Sequence, residues 1–451
     1  MDAFDSIVGY EEEKDGLRRI ADVLRNPGWY RELGVRPPRA LLLHGKPGVG
    51  KTLMARCLIE ASGRRAYVCR KDAPDGTFVE VIKLVFKEAV EHAPSIVFLD
   101  DLDKFANEDE GRRDAEEYVT VQSCIDELGD ADVFVLATAN GTRRFPHSLL
   151  RQGRLGNRIR VEVPTERDAR EIIEHYLSSK HRVADADAEF LARLLDGNSC
   201  ATLEEVVNEA GLLAGYRRSD VISEDDLVRA TLSLVHSVRI PPRGARPSDE
   251  GTDLSDGRRR QVAYHEAGHV VAGEALVPGS MVYATTLEGG EGSSGFTKFS
   301  RSWRSGAPDG FACAEAEVIR LLAGKAAVEH CLGAVDVGCS SDLDAAFRVV
   351  STLVTDDCAH GLDLHVDAWR KDSESLLSGV ERTVAAEVER FQRKAVELVV
   401  RNEGLLGAVA DALLERQVVT MRDFEVLARE CPVVPIALPT AFGLREREAG
   451  C

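Results

Sequence analysis

His265 and His269 stand four residues apart in the stretch AYHEAGHVVAG (263–273), and Glu266 directly follows the first histidine. Residues four apart on a helix share a face. Two imidazoles on one face can hold a single Zn²⁺, and a glutamate beside them can act as general base toward water at the site. An ordinary helix can also carry two such histidines, so the pair counts only with company. A hydrolytic zinc takes three protein ligands and keeps one position open. Further on, VGCSSDLDAAF (337–347) supplies Asp342 and Asp344 where a Gly/Ser turn runs into a helix, and Asp336 just precedes it. Asp344 faces away from Asp342 once that helix has begun.

A second chemistry lies far upstream. Gly45, Lys46, Pro47, Gly48, Val49, Gly50, Lys51 and Thr52 spell GxxxxGK[ST]. The glycines let the backbone wrap phosphate oxygens with its N–H groups. Lys51 reaches the β- and γ-phosphates of ATP, and Thr52 holds Mg²⁺. An apolar strand ending at Leu43 precedes the loop and a helix begins near Lys51, which is the context such a loop needs. The run SIVFLDDLDKF (95–105) then ends a strand on two acids: Asp100 for the Mg²⁺ shell and Asp101 to orient or activate the attacking water. Asn140 closes LATAN (136–140), where it is placed to sense the γ-phosphate. Arg151 and Arg154 in LLRQGRLGNR (149–158) are of the type that reaches a neighbour's nucleotide when subunits form a ring.

The elements that must carry these groups follow from periodicity. Short apolar runs at 39–45, 66–69, 95–101, 133–140 and 159–164 alternate with helical patterns, which predicts an α/β doubly wound parallel sheet over residues 1–165. Residues 166–238 lose the strands and read as a helical lid. Residues 239–257, rich in Pro, Gly, Arg and Asp, read as a linker. Residues 258–430 read as a mainly α-helical domain with one β-like patch at 281–299 and one helical period running through 375–415. A C-terminal tail, 431–451, completes the chain.

With 451 residues, several domains are expected. The net charge of −19 argues against nucleic acid and anionic membranes as general partners. Ten scattered cysteines without a CxxC pair, and no signal peptide, point to a reduced, cytoplasmic setting. No stretch approaches the roughly 20 apolar residues of a membrane span.

The order of motifs from FDSIVGYEEEKDGL (4–17) through the P-loop, RQGRLG and NEAGLLAGYR (208–217) resembles an AAA ATPase module, and with HEAGH the whole is similar to FtsH-type AAA metalloproteases over about residues 4–425. The resemblance implies an AAA module followed by a zinc metalloprotease domain. It implies Asp342 as third zinc ligand, GSSGFTKF (292–299) as an edge strand that pairs with extended substrate, and a homo-hexamer. It further implies an ATP-dependent zinc metalloendopeptidase that unfolds, threads and degrades unfolded or tagged proteins. The alternative is an AAA remodelling ATPase or scaffold with residual peptidase activity.

Four departures qualify the resemblance. The family's N-terminal transmembrane segment is not seen, which leaves a membrane or adaptor partner to replace that anchor. Asp101 stands where a glutamate is usual. Pro74 stands where the pore loop carries an aromatic, with Phe78 nearby but expected in the core. Leu155–Gly156 replaces Phe–Asp after the arginines.

Overall fold

The computed structural model describes residues 2–71, 77–106, 115–180, 183, 186–240, 256–289, 294–300, 310–336, 338–360, 362–366 and 374–436. Pro74 and residues 241–255 of the expected linker lie outside the described residues, as does the tail beyond 436. The chain divides into two compact units, Met1–Ala230 and Thr231–Cys451.

The first unit contains, in chain order, α1 (Glu11–Arg25), α2 (Pro27–Glu32), β1 (Ala40–His44), α3 (Lys51–Ser62), β2 (Arg65–Cys69), α4 (Phe78–Glu91) and β3 (Ser95–Leu99). These are followed by α5 (Glu116–Glu127), β4 (Val133–Ala139), β5 (Arg158–Arg160), α6 (Glu166–Ser178), α7 (Ala188–Leu194), α8 (Cys200–Tyr216) and the start of α9 (Glu224–His236), within which the boundary after Ala230 falls. The five strands form one parallel sheet in the order β2-β3-β4-β1-β5. Every residue of β3 and β4 is buried, as expected for central strands covered on both faces. The strand expected at 159–164 is shorter: after Arg160 only Val161 still donates its N–H to the His44 carbonyl, and Pro164 has no N–H to give. Because the sheet is parallel, β1, β3 and β4 all end on the same edge. That edge therefore collects the P-loop, Asp100–Asp101 and Asn140.

The second unit contains α10 (Asp256–Leu276), β6 (Met281–Thr285), β7 (Phe296–Phe299), α11 (Gly310–Leu332), α12 (Ser340–Thr355), α13 (Glu374–Arg401), α14 (Glu403–Arg416), β8 (Val418–Thr420) and α15 (Met421–Glu430). Its strands form an antiparallel sheet, β7-β6-β8, with β7 at an edge. Helix α10 is buried almost all round from Val262 to Ala275, so it is the central helix of this core. The helical period over 375–415 is broken at Asn402, between α13 and α14. The buried Asn402 side chain donates to the carbonyls of Leu398 and Val434 and accepts from the Val434 N–H. A side chain that bonds the backbone this way competes with the helix ladder, and periodicity does not report it. Among the described residues, no helix is long and apolar enough to cross a membrane.

The sheet is tied to α10 by Glu274. Its buried carboxylate accepts from the Gly279 and Met281 N–H groups, both at 2.7 Å. Glu274→Ala leaves two inward N–H groups without that acceptor and is expected to destabilise the unit by about 2 kcal/mol or more. Glu274→Gln keeps an acceptor and is expected to cost less. Denaturant unfolding followed by circular dichroism checks the order.

Candidate active sites

The nucleotide-binding side chains converge at the C-terminal edge of the parallel sheet. Gly50, at φ 93°, starts α3, so the N–H groups of the first turn face the loop. Lys51 is buried, and its Nζ donates to the carbonyls of Gly45 (2.9 Å) and Lys46 (2.8 Å) and to Asn140 Oδ1 (3.0 Å). Burial lowers its pKa, against the pull of Asp103, Asp101 and Asp100. Asp100 Oδ1 accepts from the hydroxyls of Thr52 (3.2 Å) and Thr138 (2.8 Å). Lys46, Pro47, Gly48 and Val49 complete the loop, and the Ala201 N–H at the start of α8 donates to the Gly48 carbonyl. A cavity of about 600 Å³ is lined by this loop, by Ile7 and Val8, and by Ile172 and Tyr176 of α6. An apolar wall beside a ring of N–H donors suits a nucleotide base and its phosphates. ATP with Mg²⁺ therefore fits the residues present.

The remaining ATPase residues differ from a reading in which each stands ready. Asp101 sits in the left-handed region (φ 56°), and its carboxylate pairs with Lys104 at 2.8 Å. Asp103 went unassigned in the sequence, yet it accepts from both the backbone N–H (2.9 Å) and Nδ2 (3.2 Å) of Asn140. The third acid of DDLD was the available signal. The two arginines have different surroundings. Arg154 is bound within its own chain by Asp126 Oδ2 (2.6 Å), Gln122 and the Ser148 carbonyl, whereas Arg151 is exposed. Gly156 is required locally: a Cβ there would lie 2.6 Å from the Arg151 carbonyl oxygen. Phe78 is buried edge-on against Phe105 at 4.8 Å, in the core as expected.

In the second unit, α10 presents His265 and His269 on one face toward the start of α12. The two Nε2 atoms are 3.0 Å apart, and Asp342 Oδ2 lies 3.1 Å from the first and 3.5 Å from the second. These three residues form a group whose candidate ligand atoms all lie within 4.8 Å of one another. The outer nitrogens are occupied: His265 Nδ1 meets Asp336 Oδ2 at 2.6 Å and His269 Nδ1 meets the Arg320 carbonyl at 2.8 Å. Bonds of this kind fix ring orientation and turn the Nε2 lone pairs inward. Asp344 is exposed on α12. The set is two imidazoles and one carboxylate, which fits Zn²⁺.

The electrostatics show how strongly the site calls for positive charge. Burial opposes protonation of His265, but its bonds to Asp336 and Asp342 prevail and raise it to about 10. Burial opposes the charged form of Asp342 too, and the two histidines outweigh it, so the carboxyl falls well below its usual range. Glu266 is buried and shifted upward by desolvation, with His269, His265 and the Thr297 hydroxyl pulling the other way. Thr297 Oγ1, on the edge strand β7, donates to Glu266 Oε2 at 2.7 Å. Sequence reading did not find Thr297, Gly324 or the Asp336 bond. Gly324 on α11 has no substitute here, because a Cβ would lie 2.7 Å from His265 Nδ1 and 2.8 Å from His269 Nε2.

Residues 41–163 match the ATPase family associated with various cellular activities (AAA), and residues 252–427 match peptidase family M41. The chain carries an AAA module followed by an M41 peptidase module, and it resembles FtsH over most of its length. It is similar to the ATP-dependent zinc metalloprotease FtsH of Kosmotoga olearia, at 29% identity over 93% of this chain and 68% of the relative. The Caldicellulosiruptor bescii FtsH is 27% identical over 95% of this chain and 72% of its own length. FtsH 2 of Sphaerobacter thermophilus is 29% identical over 97% and 69%. At the level of the family, this is the equipment of an ATP-dependent zinc metalloprotease, with Zn²⁺, ATP and Mg²⁺ as cofactors.

Asp336→Asn and Gly324→Ala are each expected to weaken zinc binding by roughly 10- to 100-fold, the first by loosening His265 and the second by displacing both rings. Competition with a metal-sensitive dye measures this, and the ATPase rate is expected to stay at the wild-type value.

Proposed function

We propose that this chain is an ATP-dependent zinc endopeptidase that unfolds, threads and degrades protein substrates. The observation that carries the proposal is the convergence of His265, His269 and Asp342 with Glu266 buried alongside. Zinc supplies Lewis acidity and a lowered pKa for water when bound at these three residues. Glu266 takes the proton from water and returns it to the leaving amine, and the Thr297 hydroxyl aims its carboxylate. Strand β7 lies at the sheet edge, so an extended substrate can pair with its backbone and bring one peptide bond past Glu266.

ATP binding is assigned to the loop Gly45–Thr52 with Asp100 holding the Mg²⁺ shell. Asn140 relays the state of the γ-phosphate through Lys51 and Asp103. Asp101 positions the attacking water once Lys104 releases it. Folded proteins hide their peptide bonds, so a peptidase needing an extended strand benefits from a motor that pulls chains apart. The exposed Arg151 supports a homo-hexamer in which it reaches the neighbour's nucleotide. Arg154 then has a supporting role, holding the segment through Asp126. Unfolded or tagged proteins are the proposed substrates.

A second reading is an AAA remodelling ATPase or scaffold with residual peptidase activity. The Asp101–Lys104 pair favours its scaffold form, because it occupies the carboxylate that ATP hydrolysis needs.

With zinc and ATP, the full chain is expected to degrade a casein-like unfolded protein. Lys51→Ala is expected to lose ATP hydrolysis and processive degradation. Glu266→Gln is expected to lose peptide cleavage by at least about 100-fold while its ATPase rate stays unchanged. Intact casein after incubation with zinc-loaded wild type rejects the proposal in favour of the second reading.

Replacing Asp101 by Asn is expected to abolish ATP turnover and leave nucleotide binding in place. Fluorescent-nucleotide titration beside a phosphate-release assay separates the two.

A further inference from the structure

Just past the two acids that end β3 stands a cation, Lys104, that the P-loop pattern does not require. Lys104 and Asp101 both line the cavity of about 600 Å³ whose wall also carries Lys51 and Asn140. The short turn between them is closed by the Lys104 N–H, which donates to the Asp101 carbonyl at 2.8 Å. Lys104 Nζ folds back onto Asp101 Oδ2, also at 2.8 Å. The carboxylate beside it holds the Lys104 ammonium above its usual pKa.

The two partners differ in their freedom to move. Asp101 is fixed at its backbone, where its N–H donates to the buried Thr138 hydroxyl at 2.9 Å. Its side chain is 21% exposed, against 59% for Lys104. A lysine ammonium is a point charge on a flexible four-carbon stem, with three rotatable donors. The ammonium is therefore the partner that can leave. An exposed pair of this kind is weak, because water screens it. A charge-assisted bond to a phosphate oxygen inside the cavity is stronger.

The surrounding charges are bonded elsewhere. Lys51 meets the carbonyls of Gly45 and Lys46 and the Asn140 side chain. Arg70 pairs with Asp100 Oδ2 at 3.6 Å, and Asp103 accepts from Asn140. Any water that Asp101 activates has to touch both its carboxylate and the γ-phosphorus of ATP. A donor bonded to that same carboxylate lies beside the γ-phosphate oxygens, and ADP offers it no such partner.

We propose that Lys104 is a catalytic residue of the ATPase site that exchanges the Asp101 carboxylate for the γ-phosphate of ATP, freeing Asp101 to activate water when ATP is bound and not when ADP is. The inference rests on the ATPase reading of the loop Gly45–Thr52. In the hydrolysis, a bond forms from the water oxygen to the γ-phosphorus, and the bond from that phosphorus to the β–γ bridging oxygen breaks. The bridging oxygen keeps the electron pair, and the water's proton passes to Asp101. Lys104 donates to a γ-phosphate oxygen throughout and keeps all its protons.

The test uses the full chain with Mg²⁺ and two probes, a nonhydrolysable ATP analogue and ADP, followed by titration calorimetry. Lys104→Met is expected to bind the analogue about fivefold or more weakly than wild type, with ADP affinity changed by less than about twofold. Its kcat for ATP is expected to fall about tenfold or more, and Lys104→Arg is expected to recover part of both losses. In wild type, acetylation of Lys104 read by mass spectrometry is expected to be at least about threefold slower with the analogue than with ADP. This last readout requires no variant to fold.

Analogue and ADP affinities that fall together in Lys104→Met, or that both stay at wild-type values, overturn the inference. A kcat at or above wild type also overturns it, because Lys104 is then only a brake on Asp101. Equal labelling of Lys104 with the two nucleotides overturns it as well. In each of these cases the wild type still binds and hydrolyses ATP, and the ATPase reading stands. If wild type binds neither probe and releases no phosphate from ATP, the ATPase reading fails and the inference fails with it.

Discussion

Along the seam between α10 and α11 the residues are small: Gly268 on one helix, Ala323, Gly324 and Ala327 on the other, all buried. A Cβ on Gly268 would lie 2.5 Å from the Ala323 carbonyl oxygen. The two backbones therefore approach more closely than larger side chains allow. Both ligand imidazoles are set by this approach. Gly324 leaves the space the rings occupy, and the Arg320 carbonyl, one turn earlier, accepts from His269. A loosened seam would move the histidines and their bonding partners together, so the metal site is a consequence of helix packing.

Around that seam the unit adds one constraint on each side. Strand β7 brings Thr297 to Glu266, and the approach to α12 brings Asp336 and Asp342 to His265. Each of these groups is bonded before any ligand arrives, so little reorganisation separates this arrangement from a working one. The carboxylate that takes the proton sits buried, where desolvation raises its affinity for a proton, and the neighbouring histidines limit the rise.

Much of this was legible in the sequence because it is local. The P-loop is one continuous turn between a strand and a helix, and HEAGH is one helical turn, so their spacing states their geometry. Parallel-strand runs ending in DD and in TAN indicated which edge of the sheet would carry the nucleotide residues. What stayed hidden depends on contacts between distant segments. Asp336 could be weighed only as a rival to Asp342, because nothing in its local context shows that it bonds the far nitrogen of His265. Gly324 looks like any helical glycine until α10 is placed against it. The break at Asn402 escapes a periodicity argument because both flanking helices keep the same apolar pattern. The difference between Arg151 and Arg154 depends on Asp126, 28 positions before Arg154.

The two sites are prepared to different degrees, which bears on where control can lie. The metal-site groups are bonded in the arrangement that chemistry needs. At the nucleotide site, Lys51 bonds the carbonyls of Gly45 and Lys46 and the Asn140 side chain, and Asp101 bonds Lys104. Phosphate oxygens have to replace the Lys51 bonds, so part of the binding energy goes into releasing Asn140, which is also held by Asp103. A ligand shifts an equilibrium only by its differential affinity for the two arrangements, and here the exchanged bonds supply that difference. Among the described residues, β7 lies at an edge of its sheet, open to a further strand. Exchange of internal bonds on ligand binding therefore belongs to the nucleotide site.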